Sequence, residues 1–413
     1  MLAILTTHPI QYQVPLWQCL SKDGRVPFEV WYMTEFAVRP SRDREFGWTF
    51  AWNIATLSGY PYRFLEAAPG ATPASFWQCR LREHLRDRLR LTGARAVWIQ
   101  GWQVAAYWQA VRDACTAGIE VWLRGESNDL ATCSFLKRMA KRGLLNWLFS
   151  NVDRFFYIGS ANRRLYLEYG VPHNKLYSAP YAVDNNRFRT QADVLRPFRT
   201  EIRRQWGVPD DAFCVLFCGK LIKKKRPLDL VAAARMLAAD GSQKPIHLLF
   251  AGSGELSEEL RRECHVVFDT EHGFQSGEPG TRSRPPASFT GFLNQTEISR
   301  AYVAADCLVL ASDHRETWGL VVNEALASGL PCVVSDACGC VEDLVHRTNT
   351  FRCGDIRDLT SRLATIPPAA TVQPNLPSFN DTVRSIVRAY ETLDSPAVSD
   401  PRATTCTGRG TLL

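Results

Sequence analysis

Short apolar runs, almost unbroken by polar residues, recur along this chain, and stretches of helical periodicity separate them. In the first half the runs are residues 2–6, 28–33, 96–100, 120–123 and 154–158, with helical stretches at 78–91 and 105–117. A strand that is apolar on both faces must be covered by helices on both faces. Strands alternating with helices in this way predict a parallel, doubly wound sheet. A second series follows, with strands at 214–218, 247–251, 307–310 and 332–335 and helices at 228–239, 294–304 and 320–327. The chain is therefore expected to be α/β, with two similar Rossmann-like halves joined near residue 190.

Two segments break the pattern. Residues 272–287 are dense in Gly, Pro, Ser and Arg and read as a long surface loop. Residues 395–413 hold few large apolar side chains and read as a mobile tail. Before the tail, residues 378–393 read as a helix. Ser378 is placed to cap it, and Val383, Ile386, Val387, Tyr390 and Leu393 fall on one stripe. The expected organisation is 1–190, 191–377, a C-terminal helix over 378–394 that returns to the first domain, and the tail.

A length of 413 residues with 46% hydrophobic and 22% charged residues is ordinary for a globular protein with real cores. A net charge of +7 suits an anionic ligand but is too diffuse for a nucleic-acid binder. The 13 cysteines are odd in number and lack paired spacing, which reads as reduced thiols in the cytoplasm. Cys338 and Cys340 stand close together, but a metal site would need two further ligands at suitable spacing. The first residues read as a buried strand and a turn, without the basic start of a secretory signal. No run of about 18 apolar residues predicts a membrane-spanning helix.

Three strand-to-helix turns in the second half carry the chemistry. The first runs from Glu316 through Gly319 and Leu320 to Glu324. A glycine at a helix start admits a ligand to the backbone, and the first N–H groups of a helix form an anion site. Carboxylates on either side of such a site could grip hydroxyls flanking a diphosphate. In the plainer reading Glu316 only favours the helix dipole and Glu324 is an exposed surface residue. The second turn, Gly219 to Arg226, places five basic residues in seven positions at a strand end. Ligands of such sheets bind at the carboxyl ends of strands, although a lysine run can also be a solvated loop. The third, with Gly252, Gly254 and Glu255, is equally consistent with a simple turn.

Taken in order, these segments resemble family 4 of the retaining glycosyltransferases, which have the GT-B fold. The resemblance rests on Glu316 to Glu324, on Gly219, Lys220 and Lys225, and on 251–255. It also takes in Thr290-Gly291-Phe292, the 304–306 run before a strand, and the segments at Tyr169 and at Val183-Asp184. It implies two Rossmann-like domains facing a central cleft, a nucleotide-diphosphate sugar donor held by the second domain, no metal or other cofactor, and retention at the anomeric carbon. By this resemblance Lys220 and Lys225 contact the donor phosphates. Glu316 binds the transferred sugar, Glu324 the ribose, and backbone around Gly219, Gly252, Gly254, Gly319 and Leu320 the rest of the donor. Family members usually carry Arg where this chain has Lys220, so the charge is kept and the bidentate fork is lost.

The first half offers cleft residues for an acceptor. The turn Thr7-His8-Pro9-Ile10-Gln11-Tyr12 lacks the glycine pair common in the family and is similar to a subset of bacterial members with His-Pro-x-x-Tyr. His8 and Gln11 face the cleft in one reading; in the other, His8 is a structural hydrogen-bond partner. Arg124 and Glu126 also follow a strand end, where they touch a ligand or pair with each other. Trp102 stacks on an acceptor sugar or fills the core. The segment 135–149 mixes Lys and Arg with large apolar residues, which fits a domain helix or peripheral contact with an anionic membrane. The expected function is sugar transfer to a sugar, lipid-linked or small-molecule hydroxyl acceptor in polysaccharide or glycoconjugate synthesis. A nucleotide-sugar epimerase and a non-catalytic sugar-nucleotide binder on the same fold are the alternatives.

Overall fold

The computed structural model describes residues 1–36, 38, 41–42, 49–50, 54–130, 135–239, 245–275, 283–366 and 376–393. The strands in chain order are β1 (Leu2–Thr6), β2 (Phe28–Tyr32), β3 (Ser41–Arg42), β4 (Thr49–Phe50), β5 (Tyr62–Phe64), β6 (Ala96–Ile99), β7 (Glu120–Leu123), β8 (Arg154–Tyr157) and β9 (Leu176–Ser178). They continue with β10 (Phe213–Cys218), β11 (Ile246–Ala251), β12 (His265–Asp269), β13 (Gly273–Phe274), β14 (Pro286–Gly291), β15 (Cys307–Leu310), β16 (Cys332–Ser335) and β17 (Thr350–Phe351). The first domain holds a seven-stranded sheet in the order β5-β2-β1-β6-β7-β8-β9. The second holds an eight-stranded sheet in the order β13-β12-β14-β11-β10-β15-β16-β17, parallel except for the β12–β13 pair. The small ribbon β3–β4 stands apart.

Side chains alternate across each sheet into two cores, the layering that unbroken apolar strands require. From the first sheet, Ala3, Leu5, Val97 and Leu123 enter one core and Leu2, Ile4, Trp98 and Trp122 the other. From the second, Leu216, Leu308 and Val334 face one side and Val215, Val309 and Val333 the other. Among the described residues, no helix is long and apolar enough to cross a membrane.

The structure corrects several expectations. The helix expected over 78–91 begins only at Leu85. Residues before it form turns and bends, with Leu81 bridged to Ala67 and its N–H donating to Gln109 Oε1 at 2.9 Å. The 272–287 segment has strand at both ends, β13 and the start of β14, and residues 276–282 lie outside the described residues. Strands β5, β9 and β17, two or three residues each, are too short to stand out in the sequence. The expected tail also lies outside the described residues.

The chain passes between the domains twice. The junction expected near 190 falls inside the helix Asn185–Leu195, whose Phe188 and Ala192 already pack in the core of the second domain. The helix Phe379–Glu391 returns, and its Val383, Ile386 and Val387 join the first domain's core with Val14, Trp17 and Leu20. Ser378 stands at its N-cap, and Asp381 accepts from the Ser378 N–H and hydroxyl at 2.8 Å each. The two passages lie side by side: Asn185 Nδ2 donates to the Pro377 carbonyl at 2.9 Å, and Thr382 Oγ1 to that of Pro180 at 3.4 Å.

Candidate active site between the two domains

The carboxyl ends of both sheets open onto one cavity of about 510 Å³, lined from both domains. The second domain contributes Gly219, Lys220, Lys224, Lys225, Gly252, Glu316, Gly319, Leu320, Val321 and Glu324, and the first contributes His8, Gln11, Tyr12, Glu126 and Tyr181. A second cavity of about 460 Å³ lies at the opposite, amino ends of β10 and β15. Its Arg199 and Arg203 are already taken up by Asp306 at 2.8 and 2.6 Å. Ligands of open α/β sheets sit at carboxyl ends, which selects the first cavity.

Backbone geometry builds the cavity floor. Gly252 and Gly219 bring two strand-end loops together: a Cβ on Gly252 would lie 2.0 Å from the Gly219 carbonyl oxygen. Gly319 stands at the N-cap of the helix Leu320–Ala327 with φ 108° and ψ 60°, a conformation that favours glycine. Leu320 and Val321, the first residues of that helix, line the cavity, and helix N–H groups there lack partners four residues back. The partial positive charge of the helix start therefore faces the same space as the lysines.

The basic turn is sorted by its fold. Lys220, Lys224 and Lys225 line the cavity, Lys223 is exposed, and Arg226 turns away to Asp229 at 2.7 Å. Lys225 forms an ion pair with Glu316, whose carboxylate also accepts from Ser312 Oγ at 3.0 Å. Both side chains are largely enclosed, 17% and 14% exposed.

Glu324 is neither exposed nor unpartnered. Its carboxylate accepts from Tyr12 Oη at 2.9 Å and from Tyr302 Oη at 2.5 Å. Burial raises its pKa, and the two hydroxyls oppose that rise by stabilising the anion. Tyr12 comes from the first domain, so this contact bridges the cleft. On the first domain's side, Glu126 accepts from Tyr181 Oη at 2.7 Å. Burial pushes the pKa of His8 down to about 4, which leaves a neutral imidazole near pH 7. Its Nδ1 lies 2.8 Å from Thr7 Oγ1.

Three expected site residues lie outside the lining. Gly254 faces the carbonyl of Leu221, 2.5 Å from where its Cβ would be, so it serves loop packing. Trp102 packs on Phe149 and over Gly125, filling core at the cleft's rim. Arg124 is buried beneath Tyr181, 4.6 Å from the ring centroid, and supports Tyr181 and Glu126 from below. The sequence also gave no sign of Asn128, whose Nδ2 donates from the first domain to the carbonyls of Glu316 and Thr317 at 3.4 and 3.2 Å. Trp318 is pinned nearby, with Nε1 donating to Asn323 at 2.8 Å. Cys338 and Cys340 are buried thiols behind this loop, and burial raises both pKa values. Among the described residues, Asp269, Glu271 and His272 alone group as potential metal ligands; none lines the cavity, and Arg261 holds Asp269 at 2.6 Å.

Residues 212–366 match the family described as Glycosyl transferases group 1. The chain is similar to the D-inositol 3-phosphate glycosyltransferase of Geodermatophilus obscurus, 31% identical over 55% of this chain and 50% of the relative. It is also similar to the sulfoquinovosyl transferase SQD2 of Arabidopsis thaliana, 43% identical over 30% of this chain and 24% of that one. The chain thus spans about half or less of the length of these curated relatives. Among solved structures, Anabaena Alr3699/HepE in complex with UDP and glucose aligns over 95% of this chain and 94% of its own, with TM-score 0.57 and 14% identity. WaaG, a glycosyltransferase involved in lipopolysaccharide biosynthesis, aligns over 96% of each chain with TM-score 0.55 and 12% identity. The two domains share the GT-B layout of these structures.

Proposed function

We propose that the chain is a retaining glycosyltransferase of family 4. It would move a sugar from a nucleotide-diphosphate sugar to a hydroxyl acceptor, without a metal, in polysaccharide or glycoconjugate synthesis. The observation that carries the proposal is the convergence of Lys225, Glu316, Glu324 and the Gly319 helix start on one interdomain cavity. As the glycosidic bond breaks, charge accumulates on the departing diphosphate, and fixed cations and helix N–H groups lower the barrier there most effectively. Lys220, Lys224 and Lys225 supply the positive charge that a divalent ion supplies elsewhere. Glu316 would hold the transferred sugar and Glu324 the ribose. His8, Gln11 and Glu126 would meet the acceptor as hydrogen-bonding groups. The reduced cysteines, 11 of them free among the described residues, support a cytoplasmic setting.

Incubation with UDP-, GDP- and dTDP-sugars tests the reading. One of them is expected to release free nucleotide diphosphate slowly, in EDTA as in Mg²⁺, and with an acceptor to give a product of unchanged anomeric configuration by NMR. A sugar that is only isomerised would mark an epimerase, and a ligand that is only bound would mark a binder. Loss of transfer in EDTA with recovery in Mg²⁺ would remove the metal-free mechanism.

Asn128 is proposed as a positioning residue, because it holds the Glu316–Thr317 carbonyls from the opposite domain. Asn128→Asp keeps the shape and loses the donor N–H. It is expected to lower kcat by about two- to tenfold, the worth of roughly 0.5–1.5 kcal/mol of hydrogen bonding, with the donor KM nearly unchanged. An equal change in KM would assign Asn128 to binding instead.

A further inference from the structure

Glu324 lines the cavity yet is only 3% exposed, because donors from both domains already cover its carboxylate. Two of these donors are fixed. Tyr302, at 2.5 Å, is buried on the helix Ser299–Ala304 and packs edge-on against Phe188, with ring centroids 6.1 Å apart. Gln295 also donates to the carboxylate, and Arg187 Nη2 holds its Oε1 at 2.5 Å, which turns the amide nitrogen toward Glu324. Tyr12 differs from both. It is half-buried, it lines the cavity, and of the three donors it alone comes from the first domain. Its turn is closed by the Gln13 and Val14 N–H groups on the Ile10 carbonyl at 2.8 and 3.1 Å. The backbone is therefore held, while the phenol is free to rotate about its own side-chain bonds.

On the reading of Glu324 as the ribose carboxylate, we propose that Tyr12 stands in the place of a ribose hydroxyl. The phenol and a nucleotide then exclude each other, and Tyr12 sets the affinity for the donor. A phenol and a ribose hydroxyl are the same kind of partner, one O–H donating to a carboxylate oxygen. At 3% exposure the carboxylate has no open side for a further hydroxyl, so one donor must leave for another to enter. Binding trades one charge-assisted hydrogen bond for another. The apparent affinity is reduced by the fraction of molecules in which Tyr12 has moved aside. The diphosphate end of the cavity, at Lys220, Lys224 and the Gly319 helix start, lies outside this exchange.

Calorimetric titration of wild type and Tyr12→Phe with UDP, GDP, dTDP and inorganic pyrophosphate tests the exchange. The nucleotide that binds wild type is expected to bind Tyr12→Phe about three- to tenfold more tightly, the worth of the hydrogen bond it no longer displaces. Pyrophosphate carries no ribose and should show no difference between the two proteins. Tyr302→Phe removes a partner that stays in place, so it should bind the nucleotide no more tightly than wild type. In thermal unfolding, Tyr12→Phe should melt below wild type without nucleotide and gain more than wild type from adding it. Equal or weaker nucleotide binding by Tyr12→Phe would overturn the inference and leave the transferase reading standing. So would an equal gain for pyrophosphate, which would mark a general loosening of the cleft. Binding of none of the three nucleotides by either protein would remove the transferase reading and the inference with it.

Discussion

Lys225→Ala is expected to lower kcat/KM for sugar transfer by about two to three decades, the usual cost of removing one preorganised charge or donor at a developing anion. Lys225 ends a tight turn after β10, with its backbone N–H bonded to the Ile222 carbonyl at 2.9 Å, and the ion pair with Glu316 holds its ammonium. On the proposed reading, its ion-pair partner Glu316 competes with the donor diphosphate for the same cation. Losing the lysine both removes charge facing the diphosphate and leaves an enclosed carboxylate without its counter-ion. Lys225→Arg, which restores the charge with a different shape, should recover part of the rate. Steady-state kinetics with the identified donor, with thermal unfolding alongside, decides the matter. Full activity in Lys225→Ala would return the lysine run to the role of a solvated loop.

With Glu316 on the transferred sugar and Glu324 on the ribose, as proposed, the two glutamates are expected to fail in different ways. Glu316→Gln should lower kcat, because contact with the moving sugar matters most in the transition state. Glu324→Gln should raise the donor KM and leave kcat nearly unchanged, because the ribose stays still during the reaction. Each effect should be about one to two decades, from roughly 1.5–3 kcal/mol for a charged hydrogen bond. The structure adds a consequence for Glu324. Its two oxygens hold Tyr12 and Tyr302, one from each domain, so Glu324→Gln should also lower the thermal midpoint. Tyr12→Phe removes one of these contacts and leaves the carboxylate, so it separates the stability effect from the donor effect. Wild-type kinetics in both glutamine variants would make the pair structural and withdraw the best support for sugar transfer.

Much of this arrangement was legible in the sequence because it is local. Unbroken apolar runs such as 2–6 and 332–335 can only be strands covered on both faces, and the structure has them as β1 and β16. The lysines, Gly319 and the glutamate pair lie within single strand-to-helix turns, where spacing alone puts them on one rim. What escaped depends on distance along the chain. The Tyr12–Glu324 contact joins residues 312 positions apart, and Asn128 reaches a loop 188 residues on. No periodicity reports such pairs. Arg124 and Trp102 sit at strand ends like true cleft residues, yet Tyr181 and Gly125 turn them into support. Residues 78–84 have helical composition, but pairing to Ala67 and Gln109 offered their backbone better partners.

The paired passages between the domains limit how the cleft can change shape. One flexible linker would let the second domain swivel and translate freely. Two covalent connections, bonded to each other through Asn185 to Pro377 and Thr382 to Pro180, remove most of those freedoms. What remains is rotation about a single axis running through the passages, in the manner of a book opening at its spine. Tyr12 lines a cavity with Val183, Asp184 and Phe379 of those passages, so the Tyr12–Glu324 contact lies close to the spine, where a small rotation moves it least. Entry of a nucleotide would be coupled to the angle between the sheets, and the C-terminal helix, remote from the chemistry, becomes the part that sets that angle's axis.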